Sequence, residues 1–153
     1  MTVDDLLKRF EGKLVYVSGK TDNVVDSVEY DSRKVSHKSL FVAVKGLVSN
    51  GHDYVRSLDE KGVSCVIVSS ERASEFSKLK CCVISTDDTR AALSSVSSYF
   101  FGEASLSIPV IGITGTNGKT STTYMLEALF SNAGYNPGVI GTVAYRWNGN
   151  EIP

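Results

Sequence analysis

The sequence predicts an α/β chain in two parts: a small N-terminal α/β domain, followed by the first βαβ unit of a second, nucleotide-binding domain. Three observations carry this. Short runs rich in Val, Ile, Tyr and Phe alternate with stretches whose apolar residues recur at helical spacing. A small, polar seam, Gly102–Pro109 (GEASLSIP), interrupts that alternation and ends in proline. Just beyond it stands IGITGTNGKTSTT, Ile111–Thr123, where a β-branched run, a glycine-rich turn and an amphipathic stretch follow one another. The expected division is residues 1–104 as the first domain, 105–109 as linker, and 110–153 as the incomplete opening of the second.

Each element has a local cause. Thr2, followed by Asp4, Asp5, Leu6, Leu7 and Phe10, predicts a short helix with a hydroxyl cap, acids in its first turn and one apolar face. Leu14–Val17, Val28–Tyr30 and Leu40–Val44 predict strands, separated by Gly, Asn, Asp and Ser clusters. A helix is expected from about His52 to Lys61, stopped by Gly62, then a buried strand over Val63–Val68. Ser70–Leu79 predicts another short helix, and Cys81–Ile84 another strand. Asp87–Phe101 predicts a helix whose stripe is Ala91, Ala92, Val96, Tyr99 and Phe100, with Gly102 as its stop.

Beyond the seam, Val110–Thr114 predicts a strand and Lys119–Ala133 a helix with Met125, Leu126, Leu129, Phe130 and Ala133 on one face; Gly138–Val143 predicts a second strand. A right-handed βαβ unit in a parallel sheet follows. Two strands cannot close their own core, so this segment is expected to be poorly protected unless it packs on something else.

Composition excludes several classes. The chain has 153 residues, 42% of them hydrophobic and 22% charged, enough for one soluble domain or for one domain and part of another. The formal net charge is -1 with signs interspersed, which argues against a nucleic-acid partner or a polybasic membrane anchor. MTVDDLLKRF lacks the pattern of a secretory signal, and no apolar run reaches the length of a membrane span, so a cytoplasmic protein is expected. Cys65, Cys81 and Cys82 lie in apolar runs without CxxC spacing and read as buried reduced thiols. His37 reads as surface. His52 has no second ligand at metal spacing and reads as a helix-start or core-edge residue. Trp147, in the hairpin-like RWNGNE, reads as an exposed turn aromatic able to stack on a ligand.

The chemistry concentrates in Gly115, Thr116, Asn117, Gly118, Lys119, Thr120 and Ser121. Glycines let the backbone turn tightly and bring N–H groups to phosphate oxygens, while the following helix points its positive end at the same anion. Lys119 supplies a charge for β and γ phosphates, and Thr120 a hydroxyl for Mg²⁺. A nucleoside triphosphate with Mg²⁺ is therefore the expected occupant. The strict GxxxxGK[ST] spacing fails, because Ile113 stands five residues before Gly118; the strand-to-helix context is what distinguishes TGTNGKT from a Gly/Asn turn with a solvated lysine.

TGTNGKT resembles the ATP loop of the Mur ligases, the bacterial enzymes that add amino acids to the peptidoglycan precursor. YDSR (Tyr30–Arg33), LFVAVKG (Leu40–Gly46) and NGHDYV (Asn50–Val55) are similar to the N-terminal domain shared by the MurE and MurF types. GVIGTVAYRWNG (Gly138–Gly149) is similar to the GxIGTxxY stretch of the MurE type. The resemblance implies a small UDP-precursor-binding domain followed by the start of the Mur ligase central domain. It implies an ATP-dependent amide ligase that forms an acyl phosphate on UDP-MurNAc-L-Ala-D-Glu and joins it to a diamino acid: meso-diaminopimelate, L-lysine or L-ornithine. A MurF-type ligase and a non-catalytic nucleotide-sugar-binding module are the alternatives.

Carried to single residues, the resemblance implies that Tyr30 and Ser32, with the turn Leu47, Val48 and Ser49, contact the UDP part of the precursor. Gly115–Ser121 would hold ATP, with Lys119 and Thr120 in the catalytic shell and Thr120 on Mg²⁺. Asp31 and Arg33 would brace the first loop, although taken alone DSR is an Asx-type turn with a salt bridge. The family's threonine-rich substrate loop, acidic Mg²⁺ ligand, carbamylated lysine and amino-acid-binding C-terminal domain have no counterpart in these residues. The chain therefore reads as the N-terminal portion of a ligase, inactive alone.

Overall fold

Thr2 starts the first helix, α1 (Val3–Arg9), by a reciprocal capping box. Its hydroxyl accepts from the Asp5 amide at 3.2 Å, and the Asp5 carboxylate accepts from the Thr2 amide at 2.8 Å. The structure is a computed structural model that describes residues 1–152, and the chain divides into two compact units, Met1–Ile108 and Pro109–Pro153.

In the first unit five strands form one sheet: β1 (Val15–Ser18), β2 (Ser27–Glu29), β3 (Ser39–Val42), β4 (Cys65–Ser69) and β5 (Cys82–Thr86), in the order β1-β5-β4-β3-β2. β2 to β5 are mutually parallel, and β1 pairs antiparallel with β5 at one edge. The crossovers carry a 3₁₀ turn (Gly51–Tyr54) leading into α2 (Val55–Glu60), and a second 3₁₀ turn (Ser70–Arg72) leading into α3 (Ala73–Phe76). α4 (Thr89–Phe100) follows β5, its first amides held by the Asp88 carboxylate, and one turn of helix, α5 (Ala104–Ser107), lies within the predicted seam.

Every residue of β3 and β5 is buried, as a parallel strand covered on both faces requires. Side chains alternate between two cores. Leu40, Val42, Cys65, Ile67, Cys82 and Ile84 pack with Val3 and Leu6 of α1 and Ala92 and Val96 of α4. Phe41, Val66, Val68 and Val83 face the other way, onto Val55 and Leu58 of α2 and Phe76 of α3. The three cysteines are buried and free, as their apolar runs predict. In place of the helix predicted over Ser70–Leu79, the 3₁₀ turn Ser70–Arg72 runs into the single turn of α3, which ends at the buried Phe76.

The second unit departs further from expectation. It contains α6 (Lys119–Asn132) and an antiparallel meander of β6 (Gly138–Ile140), β7 (Tyr145–Trp147) and β8 (Asn150–Ile152), in the order β6-β7-β8. The predicted strand Val110–Thr114 is not a strand, and Val110 and Ile111 are exposed. The predicted βαβ unit is therefore absent among the described residues, and the strand after α6 stops at Ile140 rather than Val143.

The reason is physical. A parallel pair must close a long connection before it gains a hydrogen bond, whereas β7 and β8 close through Asn148 and Gly149, both at positive φ (51° and 76°), as a two-residue hairpin requires. The expected apolar face of α6 is not buried either: Met125 and Leu129 are exposed. A polar contact ties α6 to β7 instead. The Arg146 guanidinium donates to Glu127, with Nη2 2.5 Å from Oε2, and lies 3.9 Å from the Tyr124 ring centroid. No helix among the described residues is long and apolar enough to cross a membrane.

Candidate functional site

Two loops leave the same edge of the first unit's sheet. Tyr30–Arg33 follows the last residue of β2, Glu29, which is in register with Phe41 of the parallel neighbour β3; the segment Lys45–Asn50 follows β3. The carboxyl edge of parallel strands is where α/β proteins bind ligands. Tyr30 is exposed and Ser32 half-buried.

Between them, Asp31 and Arg33 form a fork. The Asp31 carboxylate accepts from Arg33 Nε at 2.9 Å and Nη2 at 2.7 Å, and from the Arg33 amide at 3.0 Å. The guanidinium, then the amide, hold the Asp31 carboxyl down at about 2. Both the Asx turn and the bracing ion pair expected from DSR are present, and they use up these two side chains within the loop.

The second loop is a tight reversal. The Gly46 amide donates to the Ser49 carbonyl at 2.9 Å, and the Gly51 amide to the Val44 carbonyl at 3.0 Å. Gly51 must be glycine here: an added Cβ would lie 2.8 Å from the Val44 nitrogen. At the tip, Leu47 and Val48 are fully exposed, at 104% and 102%. A hollow of about 410 Å³ is lined by Leu47, Val48 and Ser49, together with Lys45, Asn50 and Tyr54. The structure thus gathers three predicted substrate residues on one concavity, while Tyr30 and Ser32 stand on the adjacent loop and do not line it. Sequence reasoning missed Lys45 and Tyr54; the available signal for Tyr54 was the NGHDYV string.

Each end of this loop has a tether. At one end the Lys45 carbonyl accepts from Arg90 Nη2 at 2.7 Å. At the other, Asn50 Oδ1 accepts from the His52 amide at 3.2 Å and lies 2.8 Å from His52 Nδ1, while His52 Nε2 accepts from the Ser69 amide at 2.9 Å. His52 is buried, so its role is at the core edge, as its lack of metal-spaced neighbours predicts. His37, by contrast, is exposed and reaches the Gly62 carbonyl at 3.0 Å.

In the second unit, Gly115 (φ 150°) and Gly118 (φ 78°) shape the turn that opens α6, and Gly118 is its N-cap, with no side chain capping the first amides. Gly115, Thr116, Asn117, Gly118, Lys119, Thr120 and Ser121 form a continuous exposed surface. The Lys119 ammonium folds back over its own loop, donating to the Gly115 carbonyl and to the Thr116 carbonyl at 3.4 Å. Uncapped amides, the helix's positive end, an ammonium and a hydroxyl make a donor set that fits a polyphosphate. Thr120 by itself cannot hold a divalent cation. Hard cations need six or so oxygens, which phosphate and water would have to complete, and the described residues contain no cluster of three acidic, His or Cys side chains. Trp147, exposed on β7, belongs to the hairpin beside the Asn148–Gly149 turn.

A parallel sheet covered on both faces, with two exposed loops at its carboxyl edge and then a glycine-shaped turn whose donors suit a polyphosphate, is the pattern of a nucleotide-binding α/β protein. Residues 24–101 match the family described as "Mur ligase family, catalytic domain", and residues 113–152 match "Mur ligase middle domain". The chain belongs to the Mur ligase family.

Among its curated relatives is the UDP-N-acetylmuramoyl-L-alanyl-D-glutamate--2,6-diaminopimelate ligase of Geobacter sulfurreducens, 36% identical over 100% of this chain and 29% of that protein. The ligase of the same name from Clostridium botulinum is 39% identical over 99% of this chain and 30% of its own length. Among solved structures, MurF from Acinetobacter baumannii superposes with a TM-score of 0.62 at 26% identity, covering 89% of this chain and 28% of that one. The chain thus spans under a third of the length of the curated relatives it matches.

Proposed function

We propose that this chain is the precursor-binding portion of an ATP-dependent amide ligase of the MurE type, which joins a diamino acid to UDP-MurNAc-L-Ala-D-Glu in the cytoplasm. In this reading residues 1–104 bind the UDP-MurNAc precursor, 105–109 link, and 110–153 open the ATP-binding central domain. The observation that carries it is the pair of loops after β2 and β3, Tyr30–Arg33 and Lys45–Asn50, issuing side by side from adjacent parallel strands. Tyr30, Ser32, Leu47, Val48 and Ser49 are the residues assigned to the UDP end. The MurE assignment over MurF is supported by identities of 36% and 39% to the diaminopimelate ligases, against 26% to MurF.

ATP with Mg²⁺, when bound, would supply the phosphoryl group that converts the substrate carboxylate to an acyl phosphate; the incoming amine would attack that acyl carbon and displace inorganic phosphate, leaving the amide. The chain's own residues bind and orient. The amides from Gly115 to Lys119 and the N-terminus of α6 hold the polyphosphate, Lys119 neutralises charge at its Nζ, and Thr120 offers a hydroxyl to the metal.

The test is phosphate release by the full-length ligase. It is expected to require UDP-MurNAc-L-Ala-D-Glu and a diamino acid together; a requirement for the tripeptide precursor instead would replace this assignment with the MurF type. The 153-residue chain is expected to bind the precursor without turnover.

A further inference from the structure

The tip of the Lys45–Asn50 loop is bare: Leu47 and Val48 are fully exposed, and no core contact orients them. The direction in which the turn points is therefore set at its ends. Asn50 is held by His52, which is held by Ser69 at the end of β4. Lys45 is held by Arg90, which is 45 residues away in the chain, on the first turn of α4.

Arg90 is poorly placed for helix stability. A cation in the first turn faces the positive end of the helix, which disfavours it. Its backbone is nonetheless fixed there, since the Asp88 carboxylate accepts from the amides of Arg90 at 2.9 Å and Ala91 at 3.0 Å. What the guanidinium gains is one charge-assisted bond, to the Lys45 carbonyl at 2.7 Å.

We propose that Arg90 is a positioning residue: by holding the Lys45 carbonyl it presets the Gly46–Ser49 turn, and so governs affinity for the nucleotide end of the precursor without touching it. This rests on the reading of that turn as a uridine-nucleotide contact. A preorganised loop avoids the ordering cost that a free one incurs on binding, so loosening this end weakens binding while the fold stays intact.

The experiment compares the wild-type chain with Arg90→Ala and Arg90→Lys. It measures calorimetric affinity for UDP-MurNAc-L-Ala-D-Glu, amide hydrogen exchange without ligand, and thermal midpoints. Arg90→Ala is expected to weaken binding about tenfold, the scale of one lost charge-assisted hydrogen bond. It should also speed exchange at Gly46 and Gly51 and leave the midpoint in place, while Arg90→Lys recovers most of the affinity. Unchanged affinity in Arg90→Ala overturns the proposal and leaves the nucleotide site standing. Weaker binding with unchanged exchange makes Arg90 a direct ligand contact and also overturns it. A wild-type chain that binds no precursor defeats the nucleotide reading itself, and the positioning role with it.

Discussion

The Ser69 amide donates to His52 Nε2 across 2.9 Å. That bond fixes the tautomer: Nε2 must be the bare nitrogen, so Nδ1 carries the proton and donates to Asn50 Oδ1 at 2.8 Å. A buried imidazole thus joins the end of β4 to the start of the first crossover, and it can do so only when neutral.

Stability is therefore expected to fall in mild acid. Burial, then the Arg72 cation, lower the His52 pKa below 6.5, against the opposing pull of Asp53 and Glu75. The unfolded chain binds this proton at higher pH than the folded one. The contribution is full above about pH 6.5 and is lost as pH drops through the folded value. Urea midpoints of the wild type should decline between about pH 7.5 and about pH 5.5, and His52→Asn should show a smaller decline than wild type. Parallel pH profiles for the two would contradict this.

The two units should respond differently to truncation. Phe41 is fully buried in β3, and Phe41→Ala should cost about 3–5 kcal/mol in equilibrium denaturation. Met125 is exposed on α6, and Met125→Ala should cost less than about 0.5 kcal/mol.

In the second unit Val139 is the buried hydrophobic residue among those described, and the Arg146–Glu127 pair links helix and meander. Glu127→Gln should raise amide exchange across β6 and β7 by about tenfold, with the strands of the first unit unaffected. Equal exchange in both proteins would mean that the pair contributes nothing to this packing.

Lys119→Ala in the full-length ligase should lower phosphate release by about a hundredfold or more, with Thr120→Ala also impaired and Thr120→Ser retaining most activity. Precursor binding by the first unit should stay at the wild-type value, which calorimetry can check.

What the sequence made legible follows from where each signal lives. β3, β4 and β5 were readable because a strand buried on both faces is written as a short continuous apolar run, as in Leu40–Val44 or Val63–Val68. Thr2 was readable as a helix start because capping is local, whereas α4, predicted from Asp87, is capped by Asp88 and begins at Thr89. Val110–Thr114 carries the same β-branched signature, yet strand formation depends on pairing partners, and the run has none among the described residues. The candidate site divides the same way. Gly115–Thr120 is legible from its glycines and the GKT triplet at the start of α6, although the strand expected before it is not formed among the described residues, and the DSR turn from its Asx chemistry. Arg90 has no local signature, since its meaning comes from a carbonyl 45 positions away that only the fold brings within 2.7 Å.

The central claim is that the carboxyl edge of the first sheet binds the nucleotide precursor. Amide chemical shifts recorded during titration of the chain with UDP-MurNAc-L-Ala-D-Glu test it most directly. Saturable shifts concentrated at residues 30–33 and 45–51 are predicted. No shifts, or shifts centred away from β2 and β3, would contradict it.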